Sequence, residues 1–192
     1  MSAAFIKSLS KAHHTVNGDG HQVLARVMEV LSELVADRGC EEVEVSDDPL
    51  DCISKCVPVI TTRDLDVLVH NEDRIGVKAV RSEIQRSTSK RILWVSAEGP
   101  TSVARKEAAP IDVQFMPLKS VCYNVSKHVL VPKHELISEV DIELEKLPKI
   151  FDTDVVVAYY GWKIGSVLKI TRQWGGNEPV SYYRLVCAGD AL

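Results

Sequence analysis

Three short apolar runs constrain this chain most: DVLVH (Asp66–His70), RILWV (Arg91–Val95) and IDVQFM (Ile111–Met116). Each has the length of a buried strand, and the third alternates with period two. Helical texture lies between them. In VKAVRSEIQR, Val77, Val80 and Ile84 share one face while Lys78, Arg81 and Gln85 share another. GPTSVARK reads as a loop entering a helix, with Thr101 or Ser102 as the N-cap. SVCYNVSKHVLV reads as one more strand. Strand, helix, strand, helix, strand is an α/β pattern, and it fills the first two thirds of the chain.

Ahead of it, HQVLARVMEVLSELVADRG (residues 21–39) carries Leu24, Val27, Met28, Leu31, Leu34 and Val35 on one stripe, and Gly39 is a C-terminal stop. An acidic stretch follows, with seven Asp or Glu from Asp37 to Asp51 against Arg38, and reads as a solvated face or loop. Past Pro132 the texture changes. SEVDIELEKL reads as a short acidic helix ending at Pro148. TDVVVAYYG reads as one or two helical turns, with Thr153 or Asp154 at the N-cap and Gly161 closing. SVLKIT and VSYYRLV flank the glycine-bearing loop RQWGGNEP as a hairpin. This second unit reads as mainly antiparallel. The expected organisation is an arm over residues 1–20, an α/β domain over 21–124 and a small α+β domain over 125–192, an α+β fold overall.

A chain of 192 residues, 45% hydrophobic, can build a substantial core. Its 23 Lys and Arg against 27 Asp and Glu give a formal charge of -4, unlike a free-standing nucleic-acid binder. The five cysteines form no tight pairs, and Cys52 and Cys56 do not have zinc-finger spacing, so reduced thiols are expected. No apolar run is long enough to span a membrane. The first 18 residues lack acids, as a presequence would, but also lack Arg; a loose arm or short helix is expected there.

Signs of catalysis are sparse. There is no glycine-rich phosphate loop, GxSxG or HExxH, and nothing calls for a cofactor. Asp64, Asp66 and Asp112 could imitate a metal-dependent nuclease if they converged. The adjacent His13 and His14 point in different directions in any regular element. One segment stands out for charge: from Arg74 to Lys106 there are eight basic residues (Arg74, Lys78, Arg81, Arg86, Lys90, Arg91, Arg105, Lys106) and two acidic ones. If Arg105 and Lys106 lie in the first turn of a helix they oppose its dipole, which makes sense with a phosphate at that end. HVLVPKHELI (His128–Ile137) reads as a junction: Pro132 holds Val131 extended, so a strand can stop there, and Ser138 offers a cap to a following helix.

Several segments, in order, resemble the shared fifth subunit of the eukaryotic nuclear RNA polymerases, whose C-terminal part corresponds to a small subunit of the archaeal polymerase. They are LVPKH (Leu130–His134), LPKI (Leu147–Ile150), TDVVVAYYG, GSVLKITR and YYRLV, with weaker likeness in DRGC, IGVKAV and PTSVARK. The resemblance implies a non-catalytic subunit with two domains and no cofactor. The first domain would be a jaw near the incoming DNA, similar to the restriction-endonuclease fold but without its catalytic residues. The second would assemble onto the largest polymerase subunit. It implies docking through Pro132, Lys133, His134, Leu147, Pro148, Ile150, Asp154, Tyr160, Gly161, Arg172 and Arg184. It also implies contacts from Thr101, Ser102, Arg105 and Lys106 to the phosphates of downstream duplex DNA. Other polymerase subunits are the further expected partners, and the nucleus the expected location.

The chain departs from the family pattern. The stretch between PKH and LPKI is several residues short, Val155 stands in place of Pro, Ala158 in place of Arg, and Trp174, Gly175 and Gly176 replace Ser-Glu-Thr. These changes imply a divergent paralogue serving one polymerase, with RNA polymerase I, and hence the nucleolus, as the candidate. A metal-dependent nuclease and a free adaptor outside polymerase are the alternative readings.

Overall fold

A computed structural model describes residues 20–86, 91–138, 143–173 and 178–189. Residues 1–19 of the expected arm (with His13 and His14), Lys90 and the Trp174–Gly176 replacement fall outside these residues, and Gly20, expected in the arm, begins the first helix. The chain divides into two compact units, Met1–Tyr123 and Asn124–Leu192.

The first unit opens with α1 (Gly20–Asp37). All six apolar residues of its expected stripe are buried, joined by Val23 and Val30. Gly39 takes a left-handed φ of 70°, and the N–H of Cys40 reaches back to the Val35 carbonyl. The acidic stretch is more ordered than a loop. It holds a two-residue strand, β1 (Glu44–Val45), and starts α2 (Pro49–Lys55), where Asp48 accepts from the Asp51 N–H and Pro49 occupies the first helical turn. The turn chemistry expected of SDDP is thus a helix cap.

The sheet order is β1-β2-β3-β4-β5, with β2 (Ile60–Thr61), β3 (Leu65–Val69), β4 (Arg91–Ser96) and β5 (Val113–Pro117). The pairs β3–β4 and β4–β5 are parallel, because α3 (Val77–Arg86) and α4 (Ser102–Glu107) carry the chain back between them. Leu68, Ile92 and Trp94 point to the helix side, where they pack with Val80, Ala104 and Ala108. Val67, Val69, Leu93 and Val95 alternate to the opposite face and are equally buried. A sheet covered on both faces explains why RILWV is apolar throughout rather than alternating.

His70 lies in this core. It is 6% exposed, its ring sits edge-on to Trp94 at 5.9 Å, and its Nδ1 is 3.8 Å from Cys56 Sγ. Burial pushes the His70 pKa down and the Cys56 thiol up, so the pair is neutral and the thiol is a poor nucleophile.

SVCYNVSKHVLV is not a strand. Pro117 ends β5, and two 3-10 turns follow, Leu118–Val121 and Val125–Lys127. Between them Asn124 accepts from the Ser126 N–H, a local bond that fixes a turn where the valines favour extension.

The second unit contains β6 (Lys133–Ile137), β7 (Lys149–Phe151), α5 (Val155–Tyr160), β8 (Val167–Arg172) and β9 (Val180–Cys187). Strand order is β6-β8-β9-β7; β6–β8 and β8–β9 are antiparallel, β7–β9 parallel. The expected hairpin is the β8–β9 pair. Leu168, Ile170 and Val186 meet Val157 of α5 in the core, flanked by Ile150, Trp162 and Tyr182. Asp154 caps α5 through the Val156 and Val157 N–H groups, and Gly161 closes it at φ 67°. SEVDIELEKL does not form the expected helix over its described part: Ser138 is a bend, and Leu144–Lys146 is one 3-10 turn. Residues 139–142 lie outside the described residues. The α+β class expected from the sequence is the one observed.

Candidate functional site

Pro132 does not stop a strand; it precedes one. Lacking an N–H, it suits the position just before β6. His134 then stands opposite Ile170 of β8, which in turn stands opposite Tyr182 of β9. One face of the sheet therefore presents His134, Ile170 and Tyr182 in a row. Two residues on, Arg184 and Arg172 share that face. These side chains, with Leu130, Val131, Pro132, Ile150, Asp154 and Val156, line a depression of about 330 Å³. A second, of about 290 Å³, joins it at Pro132 and His134 and adds Ser126, Lys133 and Tyr160. Beside both, Val129 and Leu130 are 92% and 83% exposed. They are the most exposed large apolar side chains among the described residues.

His134 is half-buried. Its Nδ1 lies 2.7 Å from the Pro132 carbonyl, which can only accept, so Nδ1 carries the proton. Burial holds its pKa below the usual histidine value. The Pro132 bond and Asp154 work against that shift, while Arg172 and Arg184 work with it. The imidazole is thus neutral at neutral pH. Both guanidiniums sit over Tyr182, each 5.8 Å from the ring centroid. Arg184 also donates to the Lys149 carbonyl at 3.0 Å.

The structure gathers Pro132, Lys133, His134, Ile150, Asp154, Tyr160, Arg172 and Arg184 around these two depressions. The other three expected docking residues do not line these depressions. Leu147 is buried, the Pro148 carbonyl accepts from the Leu185 N–H at 2.9 Å, and Gly161 ends α5. Tyr182 is the contributor that sequence reasoning missed. The period-two alternation of VSYYRLV, which puts Tyr182 on the face of Arg184, was the available signal.

The basic segment of the first unit is less free than its sequence implied. Arg105 and Lys106 sit in the last turn of α4, not the first, so the helix dipole favours them and the argument for an anion at that end fails. Thr101 is the N-cap, accepting from the Ala104 N–H at 3.2 Å. Arg74 pairs with Glu98, Arg81 with Glu107, Arg86 with Glu83 and Arg91 with Asp112. Arg105 lies over Phe115. Lys78, Arg105 and Lys106 make no ion pair among the described residues. No three His, Cys, Asp or Glu groups converge as metal ligands among the described residues, so Asp64, Asp66 and Asp112 do not form the centre that a nuclease would need. No described helix is long and apolar enough to cross a membrane.

Comparison with known proteins bears on the second unit most directly. Residues 123–186 match the family model for RNA polymerase Rpb5, C-terminal domain. DNA-directed RNA polymerase subunit Rpo5 of Methanococcus maripaludis is 41% identical over 73 residues, which cover 33% of this chain and 94% of the archaeal protein. The DNA-directed RNA polymerases IV and V subunit 5B of Arabidopsis thaliana is 34% identical over 83 residues, 38% of each chain. The DNA-directed RNA polymerases I, II, and III subunit RPABC1 of Caenorhabditis elegans is 27% identical over 153 residues, 64% of this chain and 72% of the relative. With 94% of the archaeal subunit matched at 41% identity and the family model matching residues 123–186, this chain belongs to the Rpb5 family of DNA-directed RNA polymerase subunits.

Proposed function

We propose that this chain is a non-catalytic structural subunit of a nuclear DNA-directed RNA polymerase, acting through docking and charge and not through chemistry of its own. The second unit docks on the largest subunit by the surface around Pro132 and His134. The first unit acts as a jaw beside downstream duplex DNA, where Thr101, Ser102, Arg105 and Lys106 meet phosphates without reading sequence. The observation that carries this reading is the coincidence of the matched region with the unit bearing the exposed Val129–Leu130 pair and the joined depressions. The unpaired Lys106 supports the DNA contact more than the helix end does.

The departures at Val155, Ala158 and residues 174–176 support a paralogue dedicated to one polymerase, RNA polymerase I being the candidate. Affinity purification of the tagged full-length chain from its own cells tests both levels. Recovery of polymerase subunits is expected, with one largest subunit dominant. Recovery of none would overturn the polymerase reading. Equal recovery of three largest subunits would overturn the dedicated-paralogue reading alone.

A further inference from the structure

We propose that Arg172, Tyr182 and Arg184 form a receptor for one acidic side chain, Asp or Glu, of the polypeptide on which the second unit docks. The proposal rests on the docking reading above and specifies the chemistry of the contact.

The three residues are brought together by register. Tyr182 and Arg184 are two apart on β9, and Arg172 on β8 lies diagonally from Tyr182, since Ile170 pairs with Tyr182 and Arg172 with Val180. Two guanidiniums therefore share one ring, each 5.8 Å from its centroid. The ring attracts both, but the two like charges repel each other, and neither forms an ion pair among the described residues. Arg184 spends one donor on the Lys149 carbonyl. Most of the ten N–H groups remain, in the planar fork geometry that fits a carboxylate.

The surroundings leave that position open. Among the described residues Asp154 is the one carboxylate lining the depression, and its Oδ1 already accepts from the Val156 and Val157 N–H groups, at 2.9 and 3.4 Å. His134 is neutral and commits its proton to Pro132. Arg172 and Arg184 against Asp154 thus leave a local charge of one positive. A volume of about 330 Å³ takes one side chain of a few heavy atoms, not an extended polymer.

The occupant is a polypeptide and not a nucleic acid for two reasons. Residues 124–192 carry nine Asp and Glu against eight Lys and Arg, so the positive charge is a point and not a field. Leu130, Val131, Pro132, Ile150, Val156 and Ile170 enclose that point in apolar wall. Charge set in an apolar rim is how one protein anchors an acidic residue of another.

The test uses the tagged full-length chain in its own cells. Arg172→Glu with Arg184→Glu is expected to lower recovery of polymerase subunits about tenfold or more. Tyr182→Phe keeps the ring and retains recovery, whereas Tyr182→Ala loses several-fold, which marks Tyr182 as a positioning residue. Each variant is first compared with wild type by thermal unfolding. Should the double variant fail to fold, Arg172→Lys carries the question alone: it places an amine at the site, and a carbodiimide is expected to join it to an Asp or Glu of a co-purified polymerase subunit, mapped by mass spectrometry. If wild type recovers polymerase but the folded charge-reversed chain recovers it equally, or Arg172→Lys joins no partner carboxylate, the receptor is wrong while docking stands. Recovery that nuclease digestion abolishes in wild type would assign the arginines to phosphate and overturn the proposal. Failure of wild type to recover any polymerase subunit removes the docking reading itself.

Discussion

His134 and Ile170 are direct partners across β6 and β8, so the imidazole is held over the core of the second unit while its Nδ1–H stays bonded to the Pro132 carbonyl. That bond ties the ring back to Pro132, two residues after the exposed Leu130. His134→Ala is expected to reduce incorporation into polymerase and leave nucleotide addition by assembled enzyme unchanged. Co-purification and an elongation assay on the same preparation check this; normal incorporation with slowed elongation would reverse it.

Asp154 holds two N–H groups of α5, and these are orphaned when it is truncated. Asp154→Ala is expected to cost about 1 kcal/mol of stability, in the range of roughly 0.5–2, and Asp154→Asn much less. Urea unfolding of the full chain measures both. Equal losses in the two variants would show that the carboxylate's charge, and not its role as an acceptor, is what matters.

Leu168 is fully buried on β8 between the Leu136 and Arg184 positions of its neighbours. Leu168→Ala leaves a cavity under α5 and is expected to cost about 2–5 kcal/mol. An unfolding midpoint unchanged from wild type would mean that the core collapses around the loss.

His70 makes the first unit sensitive to acid. Burial lowers its pKa; Glu72 and the Arg74 backbone, as an acceptor, oppose that without reversing it. The folded protein therefore rejects a proton that the unfolded chain accepts near pH 6.5. Its contribution to stability is complete above that pH and is lost as pH falls toward the lower folded value. His70→Gln is expected to flatten the dependence of the thermal midpoint on pH below about 6.5. An undiminished slope in the variant would place the titrating group elsewhere.

Arg105→Glu with Lys106→Glu tests the proposed DNA contact. Each lost phosphate contact removes about 0.9 from the slope of log affinity against log salt, so the reconstituted polymerase is expected to lose up to about 2 in that slope on downstream duplex. An identical salt titration would leave both residues as ordinary solvated charges.

Elements that were legible in the sequence combine periodicity with an end signal. The stripe of α1 stops at Gly39, and Asp154 and Gly161 bracket α5 despite three consecutive valines that favour strands. The errors come from short-range hydrogen bonds that compete with propensity. Asn124 turns a valine-rich segment that alternation would extend, and Asp48 with Pro49 starts a helix inside what reads as an acidic loop. The charge of the basic segment was misjudged because its partners are distant in sequence: Arg81 meets Glu107, one residue beyond the basic run, and Arg74 meets Glu98 across a whole strand. The Tyr182 platform needs the β8–β9 register, which only the fold supplies.

The order β6-β8-β9-β7 puts the last strand in the middle of the sheet. Neither β6 nor β7 has a neighbour until the hairpin of β8 and β9 slides between them. During translation, then, the surface around Pro132 does not exist while Pro132 itself has long left the ribosome; it appears once Cys187 emerges. A copy truncated before β9 lacks Arg184 and any platform for Arg172, so under the proposed docking it would offer no such surface.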